Sequence, residues 1–283
     1  MTARSPTILR RQLGAALREF RERAGLTVAA VAGDLGWSES KLSRIETAHI
    51  GIRRPDLERL LDHYAVAEPQ RRRLLAMAGQ ARQRGWWEAY GEALPTAYET
   101  YIGLEAEATR LREYNATVVP GLLQTDEYAH AVIKMVADIP VDVAADRVSV
   151  RLARRAVLTR EPPLELCLIV DEAALRRRIG GRDIMRRQLR ALLEAVERPA
   201  VTLQVLPFAI GSHAALAGSF TILDFEPGLD TPTVYCDGMT GGVFRTAPGD
   251  VAYYAAAFTK LSARALAPTA SQEFITECLR EFQ

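Results

Sequence analysis

From Leu9 to Arg82 the apolar positions recur at helical spacing in short blocks, each opened by a capping residue or closed by a glycine. Leu9, Leu13, Ala16, Leu17 and Phe20 lie on one face of a first helix, and Gly25 marks its stop. Thr27 caps a second helix that runs to Leu35, where Gly36 breaks it, and Ser38 caps a third that continues to about Glu46. Pro55 opens a fourth helix through Leu57, Leu60, Leu61 and Tyr64, and an arginine-rich fifth follows from Pro69 to about Arg82.

Beyond Trp86 and Trp87 the pattern changes. A long helix is expected over Ala97 to Tyr114, with Ile102, Leu104, Ala108 and Leu111 as core positions. Val118 to Gln124, apolar and marked by proline and glycine, reads as a short extended piece and a turn. Thr125 or Asp126 then caps a helix through Val136. Four runs read as strands: Leu164 to Val170, Val201 to Pro207, Ser219 to Phe225 and Thr233 to Cys236. Helices over Asp171 to Ile179 and Arg182 to Val196 separate the first two, and helices over Asp250 to Leu266 and Ser271 to Phe282 close the chain. The fold class is therefore mixed: an all-α domain of five helices over residues 1–85, then an α+β domain of about four strands over 86–283. The sequence contains neither an internal repeat nor a low-complexity tract.

With 48% hydrophobic and 25% charged residues in 283, the composition is that of a globular protein large enough for two domains. No apolar run approaches the ~20 residues needed to span a bilayer, and no secretory signal is evident, so a cytoplasmic location is expected. Cys167, Cys236 and Cys278 are odd in number and widely spaced, which suggests neither a disulfide framework nor a zinc site; Cys167 reads as a small buried hydrophobe.

A net charge of +1 conceals opposite signs at the two ends. Residues 1–85 carry 16 Lys and Arg against 9 Asp and Glu, whereas the remainder carries 20 against 26. A cationic first domain can neutralise phosphates and the second would be repelled by them, although cationic helices are also often merely solvated.

The segment from Val28 to Ile45 tips that balance. Two helices joined by a tight turn need a small residue at their closest approach, a turn residue tolerant of positive φ, and apolar residues facing inward. Ala32, Gly36 and the set Val31, Leu35, Trp37, Leu42 and Ile45 meet these needs. An ordinary helix pair would also bury Leu42 and Ile45, but it would not explain an outer face of Glu39, Ser40, Lys41, Ser43 and Arg44, whose hydroxyls and long donors suit a major groove. Glu39, Ser40 and Arg44 are the candidates for contact with base edges. Arg21, Thr27, Lys41, Ser43, Arg53 and Arg54 are the candidates for phosphate contact. Arg71, Arg72 and Arg73 read as a solvated helix face.

Thr27 to Glu46, TVAAVAGDLGWSESKLSRIE, resembles the Cro/cI type of helix-turn-helix regulator, the xenobiotic response element family. VVPGLLQTDEYAHAV at Val118 to Val132, VDEAALRRRIG at Val170 to Gly180 and VTLQVLPFAIGSHAALAGSFTILDF at Val201 to Phe225 resemble an actinobacterial group within it whose C-terminal half is a domain of unknown function. The chain departs from the family pattern at Ala48, where glycine often provides a left-handed cap, and at Arg154-Arg155, where an arginine-glutamine pair is usual. The resemblance implies a transcriptional regulator, antitoxin-like in some relatives and often paired with a small acidic protein.

Catalytic constellations are sparse. No nucleophile elbow, phosphate-cradling glycine loop or His-Glu-x-x-His pattern occurs, so no enzyme, cofactor or metal is expected. Asp171, Glu172, Asp224, Glu226 and Asp237 could assemble around Mg²⁺ but more often such residues cap helices or face solvent. His213, on a glycine-flanked loop, is the histidine best placed for function, against a structural role. Trp86, Trp87, Tyr90 and Tyr98 could line a pocket for an apolar effector or simply pack at the domain junction. The expected partners are double-stranded DNA, bound as a homodimer with half-sites one helical turn apart, and a regulatory input through the second domain. That input is a small acidic partner protein, as the resemblance implies, or a small apolar molecule; sequestration of a partner with autoregulation is a third alternative.

Overall fold

The computed structural model describes residues 5–82, 85–135, 139–238 and 241–282. The chain forms two compact units, Met1–Ala89 and Tyr90–Gln283. Among the described residues no helix is long and apolar enough to cross a membrane.

The first unit consists of α1 (Pro6–Arg23), α2 (Val28–Leu35), α3 (Glu39–Glu46), α4 (Arg54–His63) and α5 (Gln70–Gln80). Capping sets the starts of α2 and α3. Thr27 Oγ1 accepts from the Ala30 amide at 3.1 Å and Ser38 Oγ from the Lys41 amide at 3.2 Å. Gly36, at φ +67°, ends α2 in the left-handed region, and the Trp37 amide reaches back to the Ala32 carbonyl. Leu13, Leu17, Val31, Leu42, Ile45, Leu57, Leu60 and Leu61 form the core. Of the seven turn and core positions anticipated for the two-helix motif, Val31, Ala32, Leu42 and Ile45 are buried, while Leu35 and Trp37 pack at the edge of the core.

The second unit is built on a six-stranded mixed sheet in the order β3-β2-β1-β4-β5-β6. Its strands are β1 (Arg110–Asn115), β2 (Glu165–Asp171), β3 (Val201–Leu206), β4 (Phe220–Asp224), β5 (Thr233–Cys236) and β6 (Val243–Arg245). The first three are parallel, and β4 to β6 are antiparallel. Around the sheet lie α6 (Thr96–Glu105), α7 (Asp126–Lys134), α8 (Val141–Ala153), α9 (Glu172–Arg176), α10 (Arg182–Ala195), α11 (Pro248–Arg264) and α12 (Pro268–Glu281).

Two strands were not anticipated. The helix expected over Ala97 to Tyr114 stops at Glu105, and its last third is β1, the strand between β2 and β4. Leu104, Ala108 and Leu111 fall at i, i+4 and i+7 and are all buried, so the helical period persists across a helix, a turn and a strand. A strand covered on both faces also lacks clean alternation, and Arg112 and Glu113 further mask this one. β6, three residues at the sheet edge, carries almost no signal. Val136, the expected end of the helix now seen as α7, lies outside the described residues.

On one face of the sheet, Tyr114, Ile169, Phe220, Ile222 and Val234 pack against Ala257, Phe258 and Leu261 of α11. On the other, Glu113, Thr221 and Tyr235 sit directly opposite one another on β1, β4 and β5. Tyr101 of α6 covers that row, its ring centroid 4.6 Å from that of Tyr235.

Candidate nucleic-acid interface

α3 has two faces with different tasks. Leu42 and Ile45 fix it to the core, and Glu46 at its last turn is buried against α1. Arg21 Nε and Nη2 donate to the two carboxylate oxygens of Glu46 at 2.7 and 2.8 Å, and Nη1 donates to the Leu26 carbonyl at 3.0 Å. Glu46 and the hydrogen bond it accepts raise the pKa of the Arg21 guanidinium above its ordinary value. Arg21, expected on the phosphate-facing surface, is thus an internal bracket between α1 and α3, because both arms of its fork are taken by the buried Glu46, with the exposed Glu22 farther off at 3.7 Å.

Gly14 lets α1 approach α3 closely: a Cβ there would lie 2.6 Å from the Glu46 carbonyl oxygen and 2.8 Å from that of Ile45. Nothing in the apolar periodicity singles this glycine out.

The outward face carries Glu39, Ser40, Ser43 and Arg44, all exposed. Among the described residues no ion-pair partner faces Arg44 or Arg53. Thr27, at the start of α2, and Arg53 and Arg54, at the start of α4, are exposed as well. Arg54 pairs with Glu58 one turn away at 2.9 Å, a surface pair that another anion can displace at little cost. Lys41 is more constrained: its ammonium lies 2.9 Å from Asp56 of α4 and 3.9 Å from the Trp37 ring centroid. Arg59, missed in the sequence, donates to the Leu35 carbonyl at 2.8 Å and so caps the end of α2. Arg71 and Arg72 are paired with Asp62 and Glu68.

Past α3 the chain turns at Ala48, which takes φ +58° although it is not glycine. The left-handed cap is retained here without the residue that favours it.

In the second unit the other candidates are tied to structural neighbours. Asp171 Oδ1 caps α9 through the Ala173 amide, Glu172 accepts from the Phe208 amide and Arg176, and Asp224 takes both arms of Arg112 at 2.9 Å. Asp237 accepts from the Tyr235 hydroxyl, and Glu226 is exposed. His213 Nε2 lies 3.5 Å from the buried Tyr114 hydroxyl, and its Nδ1 accepts from the Ala215 amide, which holds the loop after β3. Trp87 is buried in the first unit, edge-on to Trp86, whereas Tyr98 lines a cavity in the second.

Two capped helices hinged at a left-handed glycine, with a polar and cationic outer face on the second, define a helix-turn-helix protein. A family model described as a helix-turn-helix domain, a DNA-binding fold, matches residues 12–74. A second, described as a domain of unknown function (DUF5753), matches residues 98–277, and the chain belongs to that family. No curated protein and no solved structure matches the chain.

Proposed function

We propose that the chain is a sequence-specific transcriptional regulator that inserts α3 into the major groove. The observation that carries this reading is the division of α3 into an inner face fixed by Leu42, Ile45 and Glu46 and an outer face of uncommitted Glu39, Ser40, Ser43 and Arg44. Arg44 would fork onto a guanine, with Glu39 and Ser40 reading neighbouring base edges. Thr27, Ser43, Arg53 and Arg54 would hold the backbone on either side, while Lys41, held by Asp56, would chiefly position the start of α3. The same reading has the chain act in the cytoplasm as a homodimer, so that two copies of α3 enter successive major grooves, with a small acidic protein engaging the second unit as the resemblance implies.

The test is selection from a random duplex pool, followed by titration of wild type and Arg44→Ala on the enriched and a scrambled duplex. Losing a bidentate base contact removes about 1–3 kcal/mol from the enriched site and leaves the scrambled one nearly unchanged. Equal loss on both duplexes overturns the assignment of Arg44.

A further inference from the structure

The second unit holds an open pocket of about 450 Å³, inside the ~300–1,000 Å³ range of small-molecule sites. It lies beyond the C-terminal end of β1, where that strand passes between parallel β2 and antiparallel β4. Such positions outside strand ends are where open mixed sheets hold ligands. The row Glu113, Thr221 and Tyr235 lines it from the sheet, and α6 supplies Tyr98 and Tyr101, whose rings are nearly parallel at 9°.

The polar groups around this space do not balance. Arg154 is buried and committed: it donates to both carboxylate oxygens of Glu105, at 2.8 and 2.6 Å, and to the Tyr98 hydroxyl. Arg151 has no such carboxylate among the described residues. Its Nη1 donates to the neutral Gln124 amide oxygen at 3.0 Å, and its Nε is buried with no hydrogen-bond partner among the described residues. Asn115, a residue only 6% exposed, is engaged by the neighbouring Glu113 carboxyl, whose charged form it favours. Buried donors without acceptors are rare because they forfeit their hydration. Of the two carboxyls in the lining, Glu113 is pushed up to about 7 by burial and Asp237 is held by the Tyr235 hydroxyl.

We propose that this pocket binds a small planar monoanion, an aromatic or unsaturated carboxylic acid, whose carboxylate is met by the Arg151 guanidinium and whose ring lies against the tyrosine wall. A guanidinium with no carboxylate partner among the described residues selects an anion, and the stacked rings select a flat body. An apolar effector would leave the Arg151 guanidinium without an acceptor, and this favours an anion over the apolar molecule. The site stands on the second unit alone and holds whether or not α3 reads DNA.

Saturation-transfer NMR and calorimetry on the full chain test it with benzoate, cinnamate and indole-3-carboxylate beside their uncharged amides. At least one acid binds with a Kd of about 1 mM or tighter, and its amide at least about tenfold more weakly. Arg151→Gln weakens the acid about tenfold and leaves the amide unchanged, with circular dichroism verifying its fold. The acid–amide comparison on wild type remains decisive if that variant misfolds. Acids and amides binding equally, or none of the acids binding, overturns the proposal.

Discussion

Replacing Glu46 with glutamine separates the buried bracket of α3 from an ordinary surface ion pair. The side chains of Arg21 and Glu46 are 10% and 4% exposed, so the pair is not of the solvent-screened kind that contributes about 0–1 kcal/mol. Glu46→Gln keeps the shape but leaves the guanidinium buried beside a neutral amide, and removing one member of a buried pair costs about 3–5 kcal/mol. Since glutamine can still accept one hydrogen bond and the Glu22 carboxylate stays 3.7 Å from the guanidinium, the lower end applies, about 3 kcal/mol. With a urea dependence of about 1–1.5 kcal/mol per molar, the unfolding midpoint falls by about 2–3 M. All three tryptophans, Trp37, Trp86 and Trp87, lie within Met1–Ala89, so their fluorescence follows this unit and not the second. The double variant Arg21→Met/Glu46→Leu removes both charges together and recovers to within about 1 kcal/mol of wild type. A single-variant shift below about 0.5 M, or a double variant as unstable as the single, would refute the reasoning.

Three further substitutions probe other contacts. Gly14→Ala drives a methyl group into the carbonyls of Ile45 and Glu46 and destabilises the first unit by about 1–3 kcal/mol in the same fluorescence assay; an unchanged midpoint refutes the close approach. Ala48→Gly relieves the left-handed strain at φ +58° and raises that midpoint by the equivalent of about 1 kcal/mol, whereas a loss would mean the cap is not formed. Glu113 titrates in the second unit, with its carboxyl raised from 4.5 to about 7 chiefly by burial. Between those values the folded chain keeps a proton that the unfolded chain has lost, so stability falls as pH rises through this window and is level on either side of it. The drop amounts to about 3 kcal/mol, measurable by unfolding at about pH 5 and about pH 8, and Glu113→Gln abolishes it.

The helix-turn-helix was legible because its signals are local. Thr27 and Ser38 hydrogen-bond amides three residues away, and Gly36 ends α2 by its own φ. β1 was not legible, since what makes Arg110–Asn115 a strand is pairing with β2 and β4, whose residues come about 55 and 110 positions later in the chain. For the same reason Arg21 read as a surface cation. Its partner Glu46 is 25 residues distant, and charge patterning along one helix cannot reveal a carboxylate waiting on another. The cavity depended on still more remote neighbours: Glu113, Thr221 and Tyr235 meet only once the sheet has formed. Of that lining, sequence reasoning named Tyr98 as a pocket candidate, whereas Val118 to Gln124, conspicuous for its proline and glycine, read only as a short extended piece and a turn.

Whether the outer face of α3 enters the major groove is tested most directly by dimethyl sulfate interference on a selected duplex, which methylates guanine N7 in the major groove and adenine N3 in the minor groove. The account predicts interference at guanine N7 in two clusters about one helical turn apart, with the guanine opposite Arg44 losing its effect in Arg44→Ala. Interference confined to adenine N3, or guanine interference unaltered by that substitution, would contradict it.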